Sequence, residues 1–274
     1  MKNLFFGTAG IPLSTKLPNT LNGIKRVKEL NLNAMELEFV RSVNISEKSA
    51  PDVEKEAKLN NIILTCHAPY YINLNSLEKA KLIASRHRII ESARIAYLCG
   101  AYSIAFHAGF YQGMNKEYAY NNIKENIKLI LKELRDKGIN ITIRPELTGK
   151  PTQFGDLNEI VKLSSELENV LPCIDFAHFH ARTNKKNSYQ EFSNLLSHIE
   201  EILGRTALKN MHIHVAGINY SIKGELNHLN LKESDMKYTE LVKAFKDFSI
   251  KGVVISESPN IESDALLLKG IYLK

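Results

Sequence analysis

Residues 118–146, YAYNNIKENIKLILKELRDKGINITIRPE, contain one complete structural unit. Ile123, Ile127, Ile130, Leu131 and Leu134 recur at helical spacing, while Lys124, Lys128, Lys132 and Asp136 lie off that stripe. The pattern predicts an amphipathic helix over Tyr118 to Lys137, closed by Gly138 where a helix cap and turn are needed. The run Ile139–Ile143 follows as a strand and leads directly into Arg144, Pro145 and Glu146. The unit therefore delivers an acid to the C-terminal end of a strand.

The same unit recurs in both directions. Apolar runs suited to buried strands stand at Leu4–Phe6, Ala34–Phe39, Ile62–Cys66, Ser103–Phe106, Ile139–Ile143, Leu171–Ile174, Met211–Val215 and Val253–Ser256. Amphipathic stretches lie between them at Thr20–Leu30, Leu77–Cys99, Tyr118–Lys137, Leu157–Leu167, Tyr189–Leu203 and Tyr238–Phe248, and Gly100 closes the second of these. Strands alternating with helices imply a parallel sheet with right-handed crossovers, and eight units in 274 residues are the size of a closed (β/α)8 TIM barrel. A doubly wound open sheet is the architectural alternative. No Pro/Gly/Ser-rich linker or composition break divides the chain, which predicts a single domain over residues 1–274.

Composition narrows the chemistry. An apolar fraction of 44% with 24% charged residues is too apolar for a disordered chain and too interrupted by charge for a membrane protein. The start, Met1 to Phe6, has too short an apolar stretch for a signal-peptide core and reads as a first strand, so a cytoplasmic protein is expected. The net charge of +6 permits an anionic partner without demanding one. Cys66, Cys99 and Cys173 form no CxxC pair, so any metal must be held by carboxylates and by some of the nine histidines.

In a barrel the chemistry sits at the C-terminal ends of the strands. There the sequence places His67, His107, Glu146, Asp175 with His178, the pair His212 and His214, and Glu257: six consecutive strands each supply a His, Asp or Glu to one rim. Such a ring would repel itself and resist burial unless positive charge sat at its centre. Mixed His/carboxylate donors suit Zn²⁺, and Mn²⁺ or Fe²⁺ accept the same ligands. The donors outnumber the four that one ion takes, so two or three metals are implied. Metals about 3.5–4 Å apart are a device for phosphodiester hydrolysis, and Glu146, at the middle of the arc, is the acid placed to bridge them.

The segments at residues 67–74, 106–109, 145–150, 173–178, 211–214 and 256–259 resemble, in order and spacing, the metal-site motifs of the endonuclease IV family. That family consists of xylose-isomerase-like TIM barrels that cleave DNA 5′ to abasic sites with three zinc ions. The resemblance implies His67, His107, Glu146, Asp175, His178, His212 and Glu257 as ligands, with Glu146 bridging and catalytic and His214 a competitor for the place of His212. It further implies Tyr70 and Tyr71 as residues that push into the duplex at the lesion, and Arg41 as a phosphate contact. Lys185 and Lys186, in the loop at residues 184–187, are further phosphate contacts to test. The chain departs from the family where an Asp-x-His pair is expected. It has Gly224-Glu225-Leu226-Asn227-His228, and a one-residue slip would restore a Glu225/His228 pair. Glu36 and Glu38 on strand two sit more comfortably with sugar-isomerase relatives.

The expected function is therefore zinc-dependent hydrolysis of double-stranded DNA at abasic sites, in base excision repair. The alternative is a sugar isomerase or epimerase using one metal on Glu146, Asp175, His212 and Glu257. A monomer is expected, because a closed barrel needs no partner to cover its edges.

Overall fold

A computed structural model describes residues 3–184 and 186–274; the reading of Lys185 lies outside them. Each of the eight apolar runs overlaps a strand of one parallel sheet. The chain runs β1 (Leu4–Ala9), α1 (Thr20–Glu29), β2 (Ala34–Glu38), α2 (Ala50–Asn60), β3 (Ile63–His67), α3 (Lys79–Leu98) and β4 (Ser103–Phe106). It continues with α4 (Lys116–Asp136), β5 (Thr142–Pro145), α5 (Leu157–Glu166), β6 (Cys173–Asp175), α6 (Phe176–Thr183), α7 (Tyr189–Leu203) and α8 (Arg205–Leu208). The remainder is β7 (Met211–Val215), a hairpin of β8 (Gly217–Ser221) and β9 (Gly224–Leu229), a 3-10 turn, α9 (Tyr238–Asp247), β10 (Gly252–Ser256) and α10 (Glu262–Leu273).

The sheet order is β5-β4-β3-β2-β1-β10-β7-β6. Its two ends meet through bridges Ile143–Val170 and Glu146–Cys173, with Leu147 N–H donating to the Cys173 carbonyl at 3.0 Å, so the sheet closes into a (β/α)8 TIM barrel. Helices coat the outside. In α4 the stripe residues Ile123, Ile127, Ile130 and Leu134 are buried, with Leu131 packed at the core's margin. Gly138 has φ +69°, the left-handed value that ends a helix without a Cβ clash, and Ile139 N–H returns to the Leu134 carbonyl at 2.9 Å.

That cap shifts strand five. The expected strand was Ile139–Ile143, but residues 139–141 are spent on the turn and the ladder begins at Thr142. Helices α2, α6, α8 and α10 and the hairpin β8–β9 were not anticipated. Asp175 shows why α6 begins where it does: it ends β6 and caps the helix, accepting the His178 N–H at 2.7 Å. No helix among the described residues is long and apolar enough to cross a membrane.

Alternation along each strand sets which residues enter the barrel. Ala34, Val253 and Ile255 pack together with Phe5, Ala9 and Ile63, apart from the larger core under the helices. On that period Glu36 and Glu38, Thr65 and His67, Ser103, Arg144 and Glu146, Cys173 and Asp175, and His212 and His214 share the inner face. Glu36, Thr65, Ser103, Arg144, Asp175, His212 and His214 are completely buried there. The barrel lumen is thus polar from its middle to its rim.

Candidate metal centre

Glu146 lies at the centre of the rim, with histidines on both sides of its carboxylate. Oε2 is 2.9 Å from His67 Nε2 and 3.4 Å from His107 Nε2. Oε1 is 3.2 Å from His178 Nδ1 and 3.3 Å from His214 Nδ1. Each carboxylate oxygen therefore serves a different pair of rings, the arrangement expected of a bridging acid.

Three sets of donor atoms, each within 4.8 Å of one another, overlap across the rim. His67, His107 and Glu146 form the first; Glu146, Asp175, His214 and Glu257 the second; Asp175, His178 and His228 the third. Glu146 links the first two and Asp175 the last two. Glu225 joins the third set, with Oε2 3.5 Å from His178 Nε2.

The geometry separates the two histidines of strand seven. His212 and His214 are on the same face, but His212 is one step, about 7 Å, deeper in the barrel. His214, not His212, approaches Glu146 and Glu257, while His212 Nε2 contacts Glu36 Oε2 at 2.8 Å and His212 Nδ1 lies 3.1 Å from Ser103 Oγ. Of the two strand-seven histidines, it is His214, the competitor, that enters the set with Glu146, Asp175 and Glu257.

The departure at residues 224–228 has a local cause. Tyr220 pairs with Glu225 and Asn219 with Asn227, so Leu226 is the extra residue of a β-bulge. In a regular strand Glu225 and His228 would point to opposite faces; the bulge turns both toward His178, whose ring centroid is 5.4 Å from that of His228. The hairpin can come this close because position 149 is glycine: a Cβ there would stand 2.7 Å from Glu225 Oε2 and 2.9 Å from His178 Cδ2.

The donors fit a cation. Asp175 Oδ2 is buried and accepts no hydrogen bond, His178 Nδ1 being turned to the Leu147 carbonyl at 3.0 Å; His228 Nε2, in the same set, is also buried and unpartnered. Burial alone would lower the rings of His67 and His178, yet Glu146, and Asp175 for His178, push both up to about 10. Burial would raise Glu146, but His107 and His214 outweigh it and hold its carboxyl well below the usual range. Burial, then Glu36, push Glu38 up to about 8. Without metal, the centre thus draws protons into the positions where positive charge is needed.

The family model described as xylose isomerase-like TIM barrel matches residues 24–271. The chain belongs to this family. An uncharacterized protein of Methanocaldococcus jannaschii is 46% identical over 270 residues, covering 98% of this chain and 97% of that one. A probable endonuclease 4 of Mycoplasma mobile is 26% identical over 279 residues, covering 96% of each. Among solved structures, a D-tagatose 3-epimerase-like protein aligns with TM-score 0.72 at 18% identity over 97% of each chain. Endonuclease IV from Thermus thermophilus aligns with TM-score 0.71 at 17% identity over 97% of this chain and 98% of that one. At such identities the likeness is one of fold. The xylose isomerase-like barrel is shared by endonucleases and sugar epimerases, so the choice between them rests on the site.

Around the mouth of this xylose isomerase-like barrel, Tyr70 and Tyr71 are 52% and 63% exposed, wide open for aromatic residues. The Tyr70 ring lies 5.6 Å from that of His67 and 6.3 Å from that of His107, so it borders the first donor set. Arg41, after β2, is exposed, as is Lys186, whose loop reaches the hairpin tip through Asn184 Nδ2 and the Ile222 carbonyl at 3.5 Å. Ser103 and Gly149 were missed in the sequence: a serine starting a strand and a glycine in a loop carry no signal until their neighbours are known.

Proposed function

We propose that the protein is a metal-dependent phosphodiesterase acting on duplex DNA at abasic sites, with cleavage 5′ to the lesion as in endonuclease IV. The observation that carries this reading is the overlap of three donor sets through Glu146 and Asp175. A one-metal enzyme needs a single set; here His67, His107, His178 and His228 extend the site on both sides of it.

The proposed ligands are His67, His107, Glu146, Asp175, His178, His214, Glu225, His228 and Glu257, with zinc the metal best suited to them. Two or three divalent ions there would activate a water and hold the phosphate oxygens through an in-line displacement. Glu146 keeps the two sides of the centre at a fixed separation, and its complete burial prevents it from turning to solvent. Tyr70 borders the first donor set and Tyr71 is exposed next to it in sequence, where an aromatic edge can enter a base step. Arg41 and Lys186 neutralise backbone phosphates.

A sugar epimerase is the second reading, favoured by one observation: Glu146, Asp175, His214 and Glu257 by themselves make a four-donor set for one ion. Metal content separates the two. Two or three zinc per chain after purification from zinc-replete medium are expected; a single Mn²⁺ or Mg²⁺, with no further zinc uptake, would favour the epimerase.

The bulge makes a further prediction. Deleting Leu226 leaves Glu225 and His228 two residues apart on a regular strand, hence still on one face. That deletion is expected to keep the metal content, whereas His228→Ala is expected to lose one equivalent. Elemental analysis after gel filtration checks both.

A further inference from the structure

Beneath the rim, a further group of donors closes on one point in the barrel lumen. Strands β6 and β7 pair Cys173 with His212 and Asp175 with His214, so the thiol sits beside both histidines of strand seven although no CxxC spacing marks it. Cys173 Sγ is 3.7 Å from His214 Nε2, and His214 Nε2 is 3.3 Å from His212 Nε2. The thiol and the two rings each offer an atom within 4.8 Å of the others. A sulfur and a nitrogen bound to one tetrahedral zinc stand roughly 3.6 Å apart, and two nitrogens roughly 3.3 Å.

Glu36 closes the fourth side. Its Oε1 lies 2.8 Å from His214 Nε2 and its Oε2 2.8 Å from His212 Nε2, yet both oxygens are buried without a hydrogen bond. One proton shared by the two rings would join them but leave this carboxylate uncompensated at complete burial, which is costly. A divalent ion serves all four groups, opening each carboxylate contact by about 0.5 Å as it enters. The surroundings suit it. His212 Nδ1 is 3.1 Å from Ser103 Oγ, the kind of outer contact that orients a ligating ring. Arg144, completely buried, spends its hydrogen bonds on oxygens of Pro172 and Asn210 and has no carboxylate partner among the described residues.

We propose that Cys173, His212, His214 and Glu36 hold a structural zinc ion in the barrel lumen, below the rim centre and joined to it by His214. The ring turns Nε2 to this site and Nδ1 to Glu146 and Glu257, at 3.3 and 3.4 Å, so it bridges the two as an imidazolate. On binding, zinc displaces the thiol proton of Cys173 and the one N–H proton of His214, both released to solvent, and nothing is oxidised or reduced. Thiolate, carboxylate and imidazolate around Zn²⁺ leave one net negative charge, which the buried Arg144 offsets. The lumen ion goes beyond the hydrolase reading and does not depend on it; with two ions on the rim it makes the total three.

Cobalt supplied during growth in place of zinc tests this, because the rim donors are all nitrogen and oxygen. A thiolate on Co²⁺ gives a near-ultraviolet charge-transfer band that the rim cannot produce. The cobalt protein is expected to show the band. Cys173→Ala and Cys173→Ser should lose it together with one metal equivalent, whereas Cys66→Ala, Cys99→Ala and the rim variant His107→Ala should keep it. Where the Cys173 variants do not fold, X-ray absorption of the zinc protein decides, with a sulfur expected at about 2.3 Å from zinc. Protein grown in cobalt that shows no band, a band that survives Cys173→Ala, or zinc with only nitrogen and oxygen neighbours would overturn the proposal. Failure of the rim reading is distinguishable, because the band would then stand on a single cobalt per chain.

Discussion

Glu146→Gln is expected to reduce DNA cleavage by about a thousandfold or more, mostly in kcat, with the barrel intact. The glutamate is contacted from both sides: His67 and His107 face Oε2, His178 and His214 face Oε1, all at 2.9–3.4 Å, with one hydrogen bond on each side, to His67 and to His214. Glutamine keeps the shape but has one acceptor oxygen and one N–H₂, so one side loses its partner and a donor meets donors. The two sides of the centre can then no longer be bridged by one anionic group, and at least one metal equivalent should be lost. Binding to DNA should change less, since Arg41, Tyr70, Tyr71 and Lys186 stand outside the donor sets. Single-turnover cleavage together with a binding titration separates the two effects. A variant that cleaves at the original rate would show that Glu146 does not have the central role assigned to it.

Removing the metal should have a comparably large effect on stability. Without ions, Asp175 Oδ2 and His228 Nε2 are buried and unpartnered, and the acids rely on imidazolium protons for compensation. A ligand bound only by the folded state stabilises it by about 4 kcal/mol when free ligand stands a thousandfold above its dissociation constant. For a chain of this size each kcal/mol moves the midpoint by roughly 2–4 °C, so chelation is expected to lower Tm by about 10 °C. Zinc should restore it. Differential scanning calorimetry with and without chelator measures this; an unchanged Tm in a protein shown to have released its metal would mean that the centre contributes nothing to the fold.

The barrel was legible because its signals are local and repeated. The stripe through Ile123, Ile127, Ile130 and Leu134, the cap at Gly138 and the following apolar run each point to the same unit. The ring of donors was legible for the same reason: once the strands are placed, the residues at their ends are placed too. What was hidden depends on depth and register. His212 and His214 share a face by alternation, so sequence alone orders them along the strand but does not say which layer Glu146 occupies. The bulge at Leu226 is invisible until β8 and β9 are paired, because nothing in Glu225-Leu226-Asn227-His228 marks the extra residue. Glu36 and Glu38 stood out as an acid pair, but the neighbours of the Glu36 carboxylate are two imidazoles contributed by a strand far away in sequence.

The most direct test of the account is incubation of the zinc-loaded protein with a labelled duplex containing a single abasic site, beside the same duplex without the lesion and a sample treated with chelator. The account predicts a nick immediately 5′ to the abasic site that leaves a 3′-hydroxyl, abolished by the chelator and recovered with zinc. An abasic duplex left intact by protein of confirmed zinc content would contradict it.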